Sequence, residues 1–276
     1  MTYLRLMRFH KPVGIWLLWA PTAWALWIAN QGHPPLKLVV LFALGVMLMR
    51  AAGCVMNDIA DSAIDKQVAR TKTRPLASGE LTFLQALVLL CFLLLAAFVV
   101  VLCLPFSCFL WSLASLSLSL FYPLCKRFFH CPQLILGLSF SMGIPMAYSA
   151  SQVSFDETAL LLFIINIFWI LAYDTLYAIA DRADDARIGV KSAALLFGSY
   201  DKLFIALFQL IFHGLWLYVA ALEGFSDLFY FDWILAAFLL IYQQYLVFAR
   251  EPGDCLRAFT SNGYYGILLW MSIVLQ

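Results

Sequence analysis

The sequence predicts an all-α integral membrane protein with nine transmembrane helices. Of its 276 residues, 64% are hydrophobic and only 12% are charged, too greasy for a soluble domain of this length. Apolar stretches of about twenty residues, the length that crosses a bilayer as a helix, recur along the whole chain. No stretch alternates like a barrel strand, which excludes the other membrane-spanning architecture.

The elements follow in order. Residues 1–12 are short and basic, with Arg5, Arg8 and Lys11. The apolar stretch after them, 13–30, is followed by eight more, so it reads as a first span and not as a cleaved signal. The second span, 37–56, runs into an acidic and then a basic loop with Lys66, Arg70, Lys72 and Arg74. Spans 82–103 and 105–124 meet at Pro105 with almost no polar loop, and Lys126 and Arg127 close the second of them. Span 133–150 follows. Span 158–178 has Asp156 and Glu157 before it and Arg182, Arg187, Lys191 and Lys202 after it. Spans 203–222 and 231–249 are separated by Glu223 and Asp227, Asp232 lies just inside the latter, and Arg250 and Arg257 precede the last span, 260–275. Residues 1–276 thus form one membrane domain with no soluble appendage and no low-complexity tract.

With nine spans, every cluster of basic residues falls on one side, and the other side carries only Lys37 against five acids. The positive-inside rule then puts the N-terminus and the basic loops in the cytoplasm and the C-terminus outside. The seven cysteines form no CxxC pair and read as small buried hydrophobes. The four histidines are scattered, which argues against a histidine metal site. The net charge of +1 gives no reason to expect nucleic acid, and nothing calls for an obligate protein partner.

The chemistry lies in two acidic clusters on the predicted cytoplasmic side. The first reads N-D-I-A-D-S-A-I-D and holds Asn57, Asp58, Asp61 and Asp65. The second, D-T-L-Y-A-I-A-D-R-A-D-D, holds Asp174, Tyr177, Asp181, Asp184 and Asp185. Spacings of three and four put each set on one helical face. Carboxylates so arranged repel one another unless water or cations separate them. A solvated helix end explains one such cluster, but two on one side point to shared divalent cations gripping phosphate. Oxygen-only ligands favour Mg²⁺. Basic residues fit the same anion: Arg70 and Arg74 four apart, Lys126 beside Tyr122, then Arg127 and Lys191. Each is also a plausible positive-inside anchor. Arg50 stands apart, inside the second span and two turns below Asn57. A cation there needs a partner, either an acidic side chain or a carboxylate on a substrate. The remaining wall is apolar, with 24 Phe, 12 Tyr and 9 Trp.

Taken together, NDxxDxxxD, RTxxRPLxSG, YPxxKR, DxxYAxxDxxDD and IGxKS resemble the UbiA superfamily of intramembrane aromatic prenyltransferases, and the likeness runs almost the whole chain. The opening R-F-H-K-P-V-G-I-W-L-L and the closing C-L-R-A-F-T-S-N-G-Y-Y-G are similar to the family's ends. The YAxxDxxDD form with IGxKS looks most like the bacterial 4-hydroxybenzoate polyprenyltransferases of ubiquinone synthesis. The resemblance implies nine helices around a central cavity, capped by cytoplasmic helices carrying the acidic motifs. It implies that a polyprenyl diphosphate alkylates 4-hydroxybenzoate ortho to its hydroxyl, in a bacterial inner membrane. It places one Mg²⁺ on Asn57, Asp61 and Asp65, with Asp58 beside them, and another on Asp181 and Asp185, with Asp184 beside them. The diphosphate falls to Arg70, Arg74, Lys126 and Arg127. Asp174, Asp181 and Asp185 are the candidate catalytic acids, and the phenol's proton would pass to an aspartate near the second metal. The second motif carries Ala183 where relatives often have a third acid, yet the spacing from Asp181 to Asp185 survives. The tail would enter sideways from lipid, since water would cost about 0.8 kcal/mol per CH₂. Alternatives are another acceptor (homogentisate, dihydroxynaphthoate, haem or a chlorophyll precursor) or a secondary transporter. A transporter would place charges near the midplane.

Overall fold

A computed structural model describes residues 1–68 and 70–276. Thirteen α-helices and no strands are found among the described residues: α1 (Thr2–Leu6), α2 (Val13–Ala29), α3 (Leu36–Ala60), α4 (Ser62–Asp65), α5 (Phe83–Leu102), α6 (Phe106–Cys125), α7 (Pro132–Ser141), α8 (Gly143–Ala150), α9 (Glu157–Ile188), α10 (Ala193–Phe197), α11 (Asp201–Glu223), α12 (Asp227–Val247) and α13 (Pro252–Val274).

Six helical stretches among the described residues are long and apolar enough to cross a membrane: α3, α5, α6, α9, the run from Ala193 to Glu223, and α12. α2 is apolar but shorter, at 17 residues. α13 has the length, but Asp254, Arg257 and a buried polar face with Ser261 and Asn262 dilute its hydropathy.

The predicted span 133–150 is two helices, broken at Met142. The cause is local. Pro145 has no N–H to offer the carbonyl of Ser141, four residues earlier, and its ring crowds that carbonyl. Ser141 is where α7 stops. The predicted span 158–178 is instead the first part of α9, whose 32 residues reach about 48 Å at helical rise. That outruns a hydrocarbon core of about 30 Å, so the end with the second acidic motif projects beyond the apolar layer. Gly189, at φ 74°, ends it in the left-handed conformation that favours glycine.

An aromatic core binds α2, α9, α11 and α13. Trp24 packs 5.1 Å from Trp169 and 5.0 Å from Trp216, centroid to centroid, and its Nε1 donates to the Gly266 carbonyl at 3.1 Å. Gly266 is required there: a Cβ would lie 2.7 Å from Trp169 and 2.8 Å from Ala20. Trp169 Nε1 donates to Asn262 Oδ1 at 2.9 Å, so these buried indoles keep a partner in a layer without water. A second, smaller core packs Leu6 of α1 against Ala52, Val55 and Met56 of α3 and Ala86 of α5. It pins the basic N-terminal segment over the end of α3. A buried knot ties α9 to α11 and the α12–α13 loop: Asp201, fully buried, accepts from Arg182 and, at 2.7 Å, from Arg250.

Candidate active site

The polar end of the bundle encloses a cavity of about 720 Å³. Its walls come from α2, α3, α6, α7, α9 and α13, and its roof from the segment after α3 and the loop after α9. α3 ends at Ala60, Asp61 turns the chain, and α4 carries Asp65, so the first motif folds back over the helix end. Thr71 Oγ1 holds that fold by donating to the Asp65 carbonyl at 3.0 Å.

Asp58, Asp61, Asp65 and Asp181 each meet a base. Arg70 grips Asp181 through two hydrogen bonds, one of them Nε to Oδ1 at 2.9 Å, and its guanidinium lies 4.6 Å from the centroid of the Tyr177 ring. Lys126 donates to Asp61 at 2.9 Å and to Asn57 at 3.3 Å. Arg74 bridges Asp65 at 2.7 Å and Asp58 at 3.2 Å. Burial alone would lower the pKa of Arg70, but the hydrogen bonds of Asp181 and the charges around it reverse that and hold it above its ordinary value. Lys11 opens to the same cavity. Its partial desolvation and the nearby charges of Arg70, Arg8 and Arg74 lower its pKa, the mark of a cation held among cations. Such a cluster attracts a polyanion.

The donor set suits a hard divalent cation. Asn57, Asp61, Asp65, Asp181 and Asp185 line the cavity and offer only oxygen. Oδ1 of Asp61 is buried with no hydrogen-bond partner among the described residues, a costly state for a carboxylate that a cation would relieve. Among the described residues, no three acidic, histidine or cysteine side chains converge into a ready cage. Mg²⁺ needs none, because it keeps waters and takes one or two carboxylates plus phosphate oxygens.

Deeper in the cavity the chemistry changes. The Arg50 guanidinium lies flat on Gly14, where a Cβ would fall 2.2 Å from its Nη2. It makes no hydrogen bond to the described residues and faces the cavity. Asp174, Tyr122, Tyr173 and Gln133 line the same cavity. The Tyr173 hydroxyl and Gln133 Oε1 are buried without a hydrogen-bond partner. Buried polar atoms are almost always paired, so these two mark a place where a polar ligand belongs.

Residues 18–273 match the UbiA prenyltransferase family. The chain belongs to this family. It is 52% identical over 271 residues to a 4-hydroxybenzoate octaprenyltransferase of Legionella pneumophila, covering 98% of this chain and 96% of that one. Its fold is similar to the apo structure of a UbiA homologue from Aeropyrum pernix, with a TM-score of 0.79 at 24% identity, covering 96% of this chain and 98% of that one. It is also similar to a UbiA homologue from Archaeoglobus fulgidus bound to GPP and Mg²⁺, with a TM-score of 0.74 at 17% identity over the whole of both chains.

In this UbiA-family chain the fold brings most of the sequence-selected residues to one cavity: Arg50, Asn57, Asp61, Asp65, Arg70, Arg74, Tyr122, Lys126, Asp174, Tyr177, Asp181, Asp185 and Lys191. Three others stand outside its lining. Asp58 is held away by Arg8 and Arg74, Asp184 pairs with Arg187 at 2.9 Å, and Arg127 donates to the Ala60 carbonyl at 3.3 Å. Lys191 lines the cavity, but its ammonium is spent on the Phe128 carbonyl at 3.0 Å. Lys11, Gln133 and Tyr173 escaped the sequence reading as site residues. Lys11 had a signal, in the R-F-H-K opening. Gln133 is the one amide at the start of an apolar run, and Tyr173 is hidden among many aromatics.

Proposed function

We propose that this chain transfers a polyprenyl group from its diphosphate to the ring of 4-hydroxybenzoate, ortho to the hydroxyl, in ubiquinone biosynthesis. The observation that carries this reading is one cavity with two chemistries: acids and bases for a metal-bound diphosphate at its mouth, and an unpaired Arg50 for a carboxylate in its depth. The high identity to a named 4-hydroxybenzoate octaprenyltransferase supports both the acceptor and a long donor. The GPP and Mg²⁺ bound by the Archaeoglobus homologue support the donor and the metal.

Asn57, Asp61 and Asp65 would hold one Mg²⁺, and Asp181 and Asp185 another. Bound there, the metal would offset charge building on the leaving diphosphate. Arg70, Arg74 and Lys126 now neutralise the same acids, and in the loaded site they turn to phosphate oxygens, with Lys11 beside them. Their hydrogen bonds strengthen as the allylic C–O bond breaks and its electron pair leaves with the diphosphate. Arg50 holds the acceptor by its carboxylate, and the ring lies among Tyr122, Tyr173 and Tyr177. The phenol points toward Asp174 and Gln133, where Asp174 takes its proton and makes the ring the stronger nucleophile. The ring carbon ortho to the hydroxyl forms the new C–C bond and then loses its proton. The apolar walls keep water from the allylic cation.

The arrangement favours an enzyme over a secondary transporter, because its acids gather at one end of the bundle. The same reading puts nine crossings in a bacterial inner membrane, with α7 and α8 together making one of them, the N-terminus and the active-site roof in the cytoplasm, and the C-terminus outside. The acceptor is tested with membranes containing the chain, octaprenyl diphosphate, Mg²⁺ and radiolabelled candidates. We expect 4-hydroxybenzoate to be prenylated in preference to homogentisate and dihydroxynaphthoate. Preference for either of the others would assign a different acceptor.

A further inference from the structure

The end of α9 that carries Asp181 and Asp185 stands clear of the apolar core. Of the described residues of α9, the last buried one is Ile179. Residues 180–188 extend about 13 Å beyond it at helical rise. On the cavity side two arginines hold them: Arg70 grips Asp181, and Arg187 donates to the Gln67 carbonyl at 2.6 Å. Arg187 is largely exposed, where such a contact contributes little, and Arg70 lets go when it turns to phosphate. We propose that Arg182, seated on the buried Asp201, is a positioning residue for this half of the site. It keeps Asp181, Asp185 and the roof segment 190–192 in place while Arg70 changes partners. The inference rests on the metal-diphosphate reading of the cavity given above.

Arg182 follows Asp181 on α9, about 100° round the helix, and stands outside the cavity lining. One of its nitrogens, Nη2, donates to the Ala194 carbonyl at 2.9 Å, to the Gly198 carbonyl at 3.3 Å and to Asp201. Ala194 lies in α10 and Gly198 just after it. Holding both carbonyls folds the loop after α9 back on the helix, and that loop presents Val190, Lys191 and Ser192 to the cavity. Asp201, at the start of α11, is a firm seat. It is fully buried, and it accepts from Arg250 Nε at 2.9 Å, from Arg250 Nη2 at 2.7 Å and from the Lys202 N–H at 2.6 Å. Further along, α11 packs Trp216 against Trp24 of the aromatic core. Arg182 thus ties the projecting motif to the rigid part of the bundle. Mg²⁺ tolerates little play in its ligands, and the groups that orient them matter nearly as much as the ligands themselves.

The rival account is that the knot only neutralises a buried carboxylate and so stabilises the fold. On that account Arg250 is the more important arginine. It makes three hydrogen bonds to Asp201 and a fourth to the Ser199 carbonyl at 2.8 Å, whereas Arg182 makes one to Asp201. On the positioning account Arg182 is the more important, because it alone of the two stands on the helix that carries the motif. The two accounts therefore order the variants oppositely.

The test titrates the full chain in detergent micelles with Mn²⁺ and geranyl thiolodiphosphate, a donor analogue whose sulfur bridge resists ionisation. Bound Mn²⁺ is read by electron paramagnetic resonance, and the thermal-unfolding midpoint is measured alongside. Arg182→Gln should weaken Mn²⁺-dependent binding of the analogue at least about tenfold, the scale of losing an outer partner of a metal site. Arg182→Lys should restore most of it, because one ammonium carries the three donors that Nη2 now uses on its three acceptors. Arg250→Gln should lower the unfolding midpoint more than Arg182→Gln does, yet bind the analogue nearly as the natural chain does. The KM for 4-hydroxybenzoate, at saturating donor, should stay unchanged in all three, since Asp174 lies between the buried Tyr173 and Thr175 and Arg50 lies on α3. Undiminished binding in Arg182→Gln, equal losses in Arg182→Gln and Arg250→Gln, a matching rise in the KM for 4-hydroxybenzoate, or an Arg182→Gln chain that does not fold overturns the proposal. If Arg250→Gln does not fold, Arg182→Lys decides: binding lost there as in Arg182→Gln overturns it, and binding restored supports it. A natural chain that binds no Mn²⁺ with the analogue would instead refute the metal-diphosphate reading itself.

Discussion

Arg50 and Gly14 form the most exposed joint of the account at the scale of single residues. The guanidinium occupies the place where a side chain on Gly14 would begin. Gly14→Ala therefore pushes Arg50 aside without touching a phosphate ligand, and the flexible arginine absorbs the clash without unfolding the helix. Arg50→Ala removes a charge-assisted contact worth about 1.5–3 kcal/mol, so the KM for 4-hydroxybenzoate should rise roughly 10- to 100-fold. Gly14→Ala should raise it in the same direction, and neither should move the KM for the prenyl diphosphate. Steady-state kinetics with each substrate varied in turn decide this. If both KM values rise together, Arg50 serves the diphosphate or the fold. At this scale the acidic clusters were legible because aspartates three and four apart recur at the ends of two apolar runs, but the shared helical face expected for the first set is not found: α3 ends at Ala60, and Asp65 reaches the site from α4. Arg50 was legible because a cation inside an apolar run is conspicuous. Gln133 and Tyr173 were not, since their importance lies in having no partner once folded, and that depends on everything packed around them. The reach of Asp58 toward Arg8 was also beyond the sequence, because it needs α1 pinned on α3.

At the scale of elements, the basic loops carry the orientation. Lys66 to Arg74 follow α3, and Arg182 to Lys191 span the end of α9 and the loop beyond it, while Gln276 follows α13. The proposed orientation, read from the charge asymmetry, puts the first two in the cytoplasm and Gln276 outside. In a chain whose exposed Cys91 and Cys103 are replaced by serine, a membrane-impermeant thiol reagent on intact cells should label a cysteine placed at Gln276 and miss one at Lys72. Equal labelling, or the reverse, would remove the nine-crossing arrangement. Hydropathy found the apolar segments because length and composition suffice for that. It did not find the break at Met142, which comes from the missing N–H of Pro145, nor the unbroken run of α9 to Ile188, which keeps Asp174, Asp181 and Asp185 on one rigid rod. A window that averages over hydropathy is blind to a single backbone donor, and it ends a span where polarity begins even when the helix continues.

At the scale of the molecule, function comes from where two kinds of surface meet. The tightly packed tryptophans of α2, α9 and α11 hold the second motif rigid, while the first motif is folded over the site by Thr71 and Arg74. Between them lies a cavity that is charged at one end and apolar below, so a diphosphate and a hydrocarbon can be held at once in the media each prefers. The central claim is that the acids facing each other across it work through a bound divalent cation. The direct measurement is transfer of label from 4-hydroxybenzoate into a prenylated product, in membranes, with and without EDTA. Activity should vanish in EDTA and return with Mg²⁺. Asp61→Asn and Asp181→Asn should each lose at least about 100-fold, the scale of removing one electrostatic stabiliser of the leaving group. Full turnover in EDTA, or in the Asp61→Asn, Asp181→Asn double variant, would contradict the account.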